Sequence, residues 1–154
     1  MRVHIGTDHA AFELKNYLVE KLREQGYEVI DHGPAEYDAE DDYPDYILPT
    51  AEAVVAEFAE GKALGIVLGG SGNGEQIAAN KVKGCRAALA DSVELAQLSR
   101  EHNNANVISL GGRFVSNELA LEIVNKFLTT EFTDTGRHAR RIGKLAAYED
   151  EKYK

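Results

Sequence analysis

The segment ALGIVLGGSGNGEQIAANK, residues 63–81, gives the clearest indication of how this chain folds. Residues 63–68 form a continuous apolar run, which is typical of a β-strand buried on both faces of a parallel sheet. A glycine-rich turn follows at once, and the helical pattern of residues 75–81 comes directly after it. A buried strand, a glycine-rich turn and a helix in immediate succession predict one strand–helix unit of an α/β fold.

The same alternation of apolar runs and helical patterns continues along the rest of the chain. Further strands are predicted at residues 3–5, 27–30, 86–90 and 107–110, and helices at residues 10–24, 46–60, 92–101, 117–128 and from about residue 134 into the basic tail. This order predicts a Rossmann-like, doubly wound fold with a mainly five-stranded parallel sheet and helices on both faces. The chain has no linker or internal repeat, so we expect a single domain over residues 1–154.

Composition and charge narrow the classes of function. The formal net charge of −9 opposes wide contact with nucleic acid or with an anionic membrane surface. No apolar run approaches the ~18 residues of a membrane-spanning helix, and the first residues resemble a strand rather than a signal peptide. The single cysteine, Cys85, excludes an internal disulfide and a cysteine-rich zinc site. We therefore expect a cytoplasmic protein that binds a small molecule.

The glycine-rich turn predicts chemistry as well as fold. Bare backbone lets successive N–H groups point at one anion, and the incoming helix adds partial positive charge. The spacing matches neither the Walker-type phosphate loop nor the dinucleotide-binding fingerprint. Glu75 would repel a resident phosphate but suits an enediolate, because the N–H groups stabilise its oxygen while the carboxylate removes the adjacent proton. Alternatively, the turn serves packing alone and Glu75 only complements the helix dipole.

Other polar candidates flank the predicted strands. Asp8 and His9 follow the first strand, where His9 could instead help to cap the first helix. His102 precedes the strand at residues 107–110 together with three asparagines; a neutral imidazole there could shuttle a proton, although turn chemistry is the alternative. The acidic loop at residues 36–45 has neither an EF-hand glycine nor a histidine pair, so we interpret it as solvated rather than as a cation site.

The positive charge of the chain is concentrated near its end. Arg137, Arg140, Arg141 and Lys144 fall within eight residues. Arg137 and Arg141 are four residues apart and share one helical face, an arrangement that suits a phosphate, and His138 lies beside them. A solvated helical face is the alternative interpretation. Charge and position also predict that residues 150–154 fray.

These segments together resemble the type-B ribose-5-phosphate isomerases. The likeness rests on the Asp8-His9-Ala10 start, DDYPD at 41–45, GGSGNGEQIAANK at 69–81, EHNNANVISLGGR at 101–113 and RHARRI at 137–142, and it spans nearly the whole chain. The resemblance implies reversible isomerisation of D-ribose 5-phosphate and D-ribulose 5-phosphate in the pentose phosphate pathway, through a cis-enediolate and without cofactor or metal. It also implies a homodimer, with a tetramer as the alternative, in which the subunits share their sites and the C-terminal helix takes part in the dimer contacts.

The resemblance further implies a role for each matching residue. Glu75 would be the base, and His102 would assist opening of the furanose ring. Many members place a cysteine base in the glycine turn, where this chain has Ser71, which becomes a hydrogen-bond donor near the reacting carbons. The branch with a glutamate just after the turn is the one that this chain resembles.

The implied substrate contacts divide by the part of the sugar phosphate that they touch. Asp8, His9, Tyr43 and Asn103 would line the sugar site; Gly70, Ser71, Gly72, Asn73 and Gly74 would form the anion hole; and Arg113, Arg137 and Arg141 would bind the phosphate, assisted by His9 and His138. The same superfamily also acts on other aldose phosphates. A six-carbon substrate such as allose 6-phosphate or galactose 6-phosphate therefore stays open, as does a non-catalytic sugar-phosphate or nucleotide-binding module.

Overall fold

A computed structural model describes residues 1–152 and contains one five-stranded sheet. The strands are β1 (Arg2–Thr7), β2 (Glu28–Asp31), β3 (Ala63–Gly69), β4 (Ala87–Leu89) and β5 (Val107–Gly111). They lie in the order β2-β1-β3-β5-β4, and every neighbouring pair is parallel. β3, which contains the apolar run of residues 63–68, is central and buried along its whole length. The predicted five-stranded parallel sheet is confirmed.

Helices cover both faces of this sheet. They are α1 (Phe12–Glu24), α2 (Pro44–Phe58), α3 (Asn73–Ala79), α4 (Val93–Asn103), α5 (Asn117–Thr129) and α6 (Arg137–Lys152). One apolar core joins the sheet to α1, α4 and α5, and a second joins it to α2 and α3. Along β3, Ile66 and Leu68 pack into the first core and Val67 into the second, because strand side chains alternate in direction.

The parallel register brings the ends of the central strands to one side of the sheet, here called the carboxyl edge. Thr7 pairs with Leu68, and Gly69 pairs with Gly111. The residues after β1, β3 and β5 therefore emerge side by side at this edge, where ligands bind in open α/β sheets. The opposite side, where the strands begin, is here called the amino edge.

Helix α4 returns the chain from the carboxyl edge to the amino edge. It begins after β4 and ends at Asn103, and Asn104 terminates it in the left-handed conformation with φ of 45°. Asn106 then accepts the backbone N–H of Gly65 on its carbonyl and that of Arg86 on its side chain, each at 2.8 Å. The run of asparagines thus joins the beginnings of β3, β4 and β5.

The predicted helix boundaries differ from the observed ones at several helix starts. Asp8 caps the N–H of Ala10, so a 3₁₀ turn (His9–Ala11) precedes α1. Helices α2 and α3 begin at Pro44 and Asn73, two residues before the predicted starts. The sixth helix begins at Arg137 rather than at residue 134, because Gly136 is left-handed with φ of 82°.

The end of the chain also differs from the expectation. Residues 150–152 belong to α6, so the expected fraying does not include them, and residues 153–154 lie outside the described residues. Among the helices of residues 1–152, none combines the length and the hydropathy that crossing a bilayer requires.

Candidate active site

The Glu75 side chain is buried at the carboxyl edge. It lies in the first turn of α3, and only 5% of its surface is exposed. Its carboxyl group folds back onto the Cα of Gly69, where a β-carbon would overlap it. A carboxylate that only complemented the helix dipole would gain nothing from this position. Burial raises the pKa of Glu75; its own backbone amide lowers the pKa, and the nearby Asp8 carboxylate raises it. The raised pKa makes Glu75 a stronger base than an exposed glutamate.

The glycine turn directs its carbonyl groups away from this space. Its carbonyl oxygens are bound by β5 and the residues after it: Gly69 O by the N–H of Gly112 at 2.7 Å, Gly70 O by the N–H of Arg113 at 3.1 Å, and Gly72 O by Ser109 Oγ at 2.7 Å. Gly72 has φ of 84°, which favours glycine. Within residues 1–152, no carbonyl accepts from the N–H groups of Ser71, Gly72 and Gly74. These donors are free for an anion.

Two side chains frame the turn. The Arg113 guanidinium, just after β5, lies 3.0 Å from the position that a β-carbon on Gly70 would occupy. The Tyr43 ring, just before α2, lies 2.8 Å from the corresponding position on Gly74. Any larger residue at either glycine would displace these side chains. The structure thus brings a cation and an aromatic hydroxyl to the two flanks of the predicted anion hole.

A histidine–carboxylate contact lies beside these groups. Asp8 is buried, and His9 Nδ1 lies 2.6 Å from Asp41 Oδ1. The backbone N–H of His9 donates to the same oxygen at 3.1 Å. The Asp41 side chain is only 4% exposed, so the interpretation of residues 36–45 as a solvated loop is wrong for this residue. Asp41 could not have been singled out from the sequence, because six of the ten residues in that loop are acidic.

One atom each from Asp8, His9 and Asp41 lies within 4.8 Å of the others, which is a geometry that could hold a cation. His9 Nδ1 and Asp41 Oδ1 already bind each other, however, so a cation that used these two atoms would have to break a short hydrogen bond. We therefore interpret the trio as a hydrogen-bonded cluster. Together with the turn, Tyr43 and Arg113, it forms what we call the carboxyl-edge half-site. Its members are Asp8, His9, Asp41, Tyr43, Gly70, Ser71, Gly72, Asn73, Gly74, Glu75 and Arg113.

The remaining predicted site residues gather at the amino edge. His102, at the end of α4, stacks on His138 at the start of α6, with ring centroids 4.5 Å apart and an angle of 18°. Burial lowers the pKa of His138, and the charges of His102, Arg137 and Arg141 lower it further. Both arginines and His102 are exposed. We call this set the amino-edge half-site; its members are His102, Asn103, Arg137, His138 and Arg141.

The two half-sites cannot touch one sugar within a single chain. Helix α4 has eleven residues and therefore spans about 16 Å between the edges. The five residues of β5 span about the same distance. Glu75 and His102 lie at opposite ends of this span. Position along the sequence did not reveal this separation, because His102 and Arg113 are only eleven residues apart.

Cys85 belongs to neither half-site. It lines a cavity of about 390 Å³ between the start of β4 and α6, at the amino edge. The thiol is buried, and burial raises its pKa to about 12. It is inert packing, as the sequence predicts, and does not replace a base in the glycine turn.

Comparison with known proteins gives consistent matches along the chain. Residues 3–145 match the model of the family described as Ribose/Galactose Isomerase. Ribose-5-phosphate isomerase B of Mycolicibacterium paratuberculosis is 55% identical over 149 residues, which cover 97% of this chain and 92% of that protein. The protein of the same name from Mycobacterium tuberculosis is 54% identical, with coverage of 97% and 90%.

Solved structures agree with this similarity. Ribose-5-phosphate isomerase B of Mycoplasma genitalium, with bound ribulose-5-phosphate, superposes with a TM-score of 0.92 at 43% identity and covers 98% of this chain and 97% of its own. The isomerase B of Clostridium thermocellum superposes with a TM-score of 0.91 at 45% identity and covers 98% and 99%.

Proposed function

Since the chain belongs to the Ribose/Galactose Isomerase family, we propose that it interconverts D-ribose 5-phosphate and D-ribulose 5-phosphate. The relatives that carry this activity in their names match it over nearly its whole length, and a solved relative holds ribulose-5-phosphate. The predicted resemblance to type-B ribose-5-phosphate isomerases and the predicted class, an aldose–ketose isomerase, are confirmed.

The observation that carries the mechanism is the position of Glu75. A buried carboxylate lies next to a turn in which the N–H groups of Ser71, Gly72 and Gly74 donate to no carbonyl within the described residues. Isomerisation requires a base for the C2 proton and donors for the oxygen that becomes negative when the proton leaves. A general base supplies about 10²–10⁴-fold, and each oxyanion donor about 10²–10³-fold, so both are required.

The proposed reaction uses Glu75, the N–H groups of the turn and His102. His102 assists opening of the furanose ring, and Glu75 removes the proton from C2. The charge moves to the carbonyl oxygen on C1, where the N–H groups of the turn hold the cis-enediolate. Glu75 then returns the proton to C1, while the hydroxyl proton of O2 passes to O1. We assign the Ser71 hydroxyl as a hydrogen-bond donor to these oxygens; its Oγ accepts the Asn73 N–H at 3.2 Å and keeps its own hydrogen free.

We also propose that the phosphate is held by groups from both half-sites. Arg113 lies at the carboxyl edge, and Arg137 and Arg141 lie at the amino edge. The last two occupy the first turns of α6, where the helix dipole is unfavourable to cations, and the first turn of this helix contains no acidic residue. A phosphate dianion would relieve this repulsion. His138, with its lowered pKa, contributes as a neutral donor, and Asn103 contacts sugar hydroxyls.

Because the half-sites are separated in one chain, the complete site requires a second copy. We propose a homodimer in which the amino-edge half-site of one subunit closes the carboxyl-edge half-site of its partner. A two-fold axis creates two equal sites in this way. Exposed apolar side chains on α6, among them Leu145 and Tyr148, are suited to such contacts.

Proton exchange with solvent is the direct test of this function. Ribose 5-phosphate in heavy water is followed by NMR with the purified protein. We expect ketose signals, with deuterium entering C1 of the ketose and C2 of the recovered aldose. Ketose without deuterium would indicate hydride transfer. Binding without conversion would indicate a non-catalytic sugar-phosphate module. Turnover of allose 6-phosphate above that of ribose 5-phosphate would move the assignment to a six-carbon substrate.

A further inference from the structure

The contact between His9 and Asp41 has no part in the reaction scheme above. A single oxygen, Asp41 Oδ1, receives both the backbone N–H and the Nδ1 of His9, at 3.1 Å and 2.6 Å. The two bonds fix the position and the rotation of the imidazole ring. Asp41 is 4% exposed, whereas His9 is 31% exposed. The carboxylate therefore lies behind the ring, and the ring faces the open side of the site.

This burial indicates that His9 carries a positive charge. A buried carboxylate is stable only when a cation or several donors compensate it, and His9 is the basic side chain in contact with Asp41. The hydrogen bond that the His9 ring donates to Asp41 raises the pKa of His9; partial burial lowers the pKa, the Asp8 and Asp41 charges raise it, and the Arg113 charge lowers it. Tyr37 faces the ring edge-on, at 6.3 Å between centroids.

The other nitrogen of the ring is free for a ligand. Nδ1 is engaged with Asp41, and no atom of residues 1–152 accepts from Nε2. Arg113 acts on His9 through its charge and lies against Gly70. Two cations held near each other, with bare backbone N–H groups beside them, form an anion site whose mutual repulsion falls when an anion binds.

We propose that Asp41 is a positioning residue that keeps His9 as an imidazolium and directs its Nε2–H at the phosphate of the substrate, beside Arg113. The identity of the anion rests on the proposed function, whereas the Asp41–His9 coupling does not.

Loop closure alone does not explain an aspartate at this position. An asparagine oxygen would accept the same two hydrogen bonds at a lower desolvation cost. The second oxygen of Asp41, Oδ2, is buried and has no hydrogen-bond partner within the described chain, which adds to that cost. What the carboxylate provides and the amide lacks is negative charge, and His9 is the group that responds to it.

The variant Asp41→Asn tests the proposal, because it keeps the acceptor oxygen and removes the charge. We expect NMR titration to show a lower pKa for His9 than in the unsubstituted protein. The pKa of His9 is raised by Asp41, so His9 keeps its charge to higher pH with Asp41 than without it. The KM for ribose 5-phosphate should therefore rise, by up to about tenfold, in the pH range between the His9 pKa of the variant and that of the unsubstituted protein. The two KM values should converge at acidic pH, where both imidazoles are protonated, while kcat stays within about twofold.

Two comparisons separate this role from a structural one. Asp42→Asn makes the same change of charge one residue away, at an exposed position, and should leave the His9 pKa and KM unchanged. In a His9→Gln background, Asp41→Asn should have no further effect on KM, because coupled residues are not additive. An unchanged His9 pKa in Asp41→Asn, a KM increase that is equal at every pH, or additive effects would overturn the proposal.

The unsubstituted protein provides a test if Asp41→Asn does not fold. Inorganic phosphate should shift the His9 ring signals and raise the His9 pKa, since an anion favours the imidazolium. A His9 that titrates normally and ignores phosphate would refute the proposal. These measurements need no turnover. Absence of isomerisation together with the expected His9 titration would therefore reject the proposed function alone.

Discussion

At the scale of single residues, Glu75 shows how position changes the meaning of a common side chain. Acidic residues in the first turn of a helix usually face solvent and complement the dipole. Glu94 in α4 is such a residue, and it is exposed. Glu75 occupies the same turn of α3 but is buried against Gly69. Burial destabilises the ionised form of a carboxylate. A glutamate that only complemented the helix dipole would therefore be more stable in contact with solvent.

Glu75→Gln should lower kcat by about 10²–10⁴-fold while the fold and phosphate binding persist. In the unsubstituted protein the pKa of Glu75 is raised in the folded state. Ionised Glu75 therefore lowers the free energy of unfolding once the pH rises through that pKa. Removing the charge should therefore leave the variant at least as stable at pH 7–8. Steady-state kinetics and urea unfolding measure the two effects. Glu94→Gln serves as the matched control, and wild-type turnover in Glu75→Gln would exclude Glu75 as the base.

Removal of divalent cations is a second experiment at this scale. We expect full activity after exhaustive dialysis against a chelator, since a carboxylate base with N–H donors transfers the proton without a metal. The experiment is needed because one possible ligand atom from each of Asp8, His9 and Asp41 lies close enough to the other two to hold a cation. Loss of turnover that only a divalent ion restores would contradict the expectation and would point to these three residues.

At the scale of elements, the strand–turn–helix unit of β3 and α3 positions the proposed base and the proposed anion hole. The Glu75 carboxyl group occupies the space that a side chain at Gly69 would need. Gly69→Ala should therefore expel the carboxylate, lower kcat as strongly as Glu75→Gln, and cost about 1–3 kcal/mol of stability.

Gly143→Ala in α6 is the control for Gly69→Ala, because nothing lies within 4 Å of a β-carbon there. It should stabilise the protein by up to about 1 kcal/mol, since alanine favours a helix interior more than glycine does. Thermal unfolding and kinetics of both variants make the comparison. Equal kinetics in the two alanine variants would show that the packing of Gly69 against Glu75 has no part in turnover.

At the scale of the whole molecule, we expect the separation of the half-sites to make turnover depend on two chains. Glu75→Gln and His102→Ala should each be nearly inactive alone. When they are mixed and refolded, each mixed dimer combines an intact Glu75 from one subunit with an intact His102 from the other. Random pairing should then restore about a quarter of the wild-type turnover. If one chain supplied both residues to its own site, mixing would restore nothing.

Much of this molecule could be predicted from its sequence. The order of strands and helices, the position of the glycine turn and the candidate base all followed from residues 63–81 and from the alternation of apolar and helical patterns around them, because hydrophobic periodicity and glycine content are local properties. Helix starts were less accurate, since caps such as Asp8 and the left-handed Gly136 depend on backbone geometry. The inward turn of Asp41 was missed because neighbouring carboxylates look alike in sequence.

Local sequence patterns were enough to establish the fold class and the chemical groups that the chain carries. Tertiary packing alone set the positions of those groups. It buried Glu75, paired His9 with Asp41, and placed His102 at the sheet edge opposite the glycine turn. The reason is that local patterns set each strand and helix, whereas the parallel sheet sets which of their ends meet, and that depends on contacts between residues far apart in the chain.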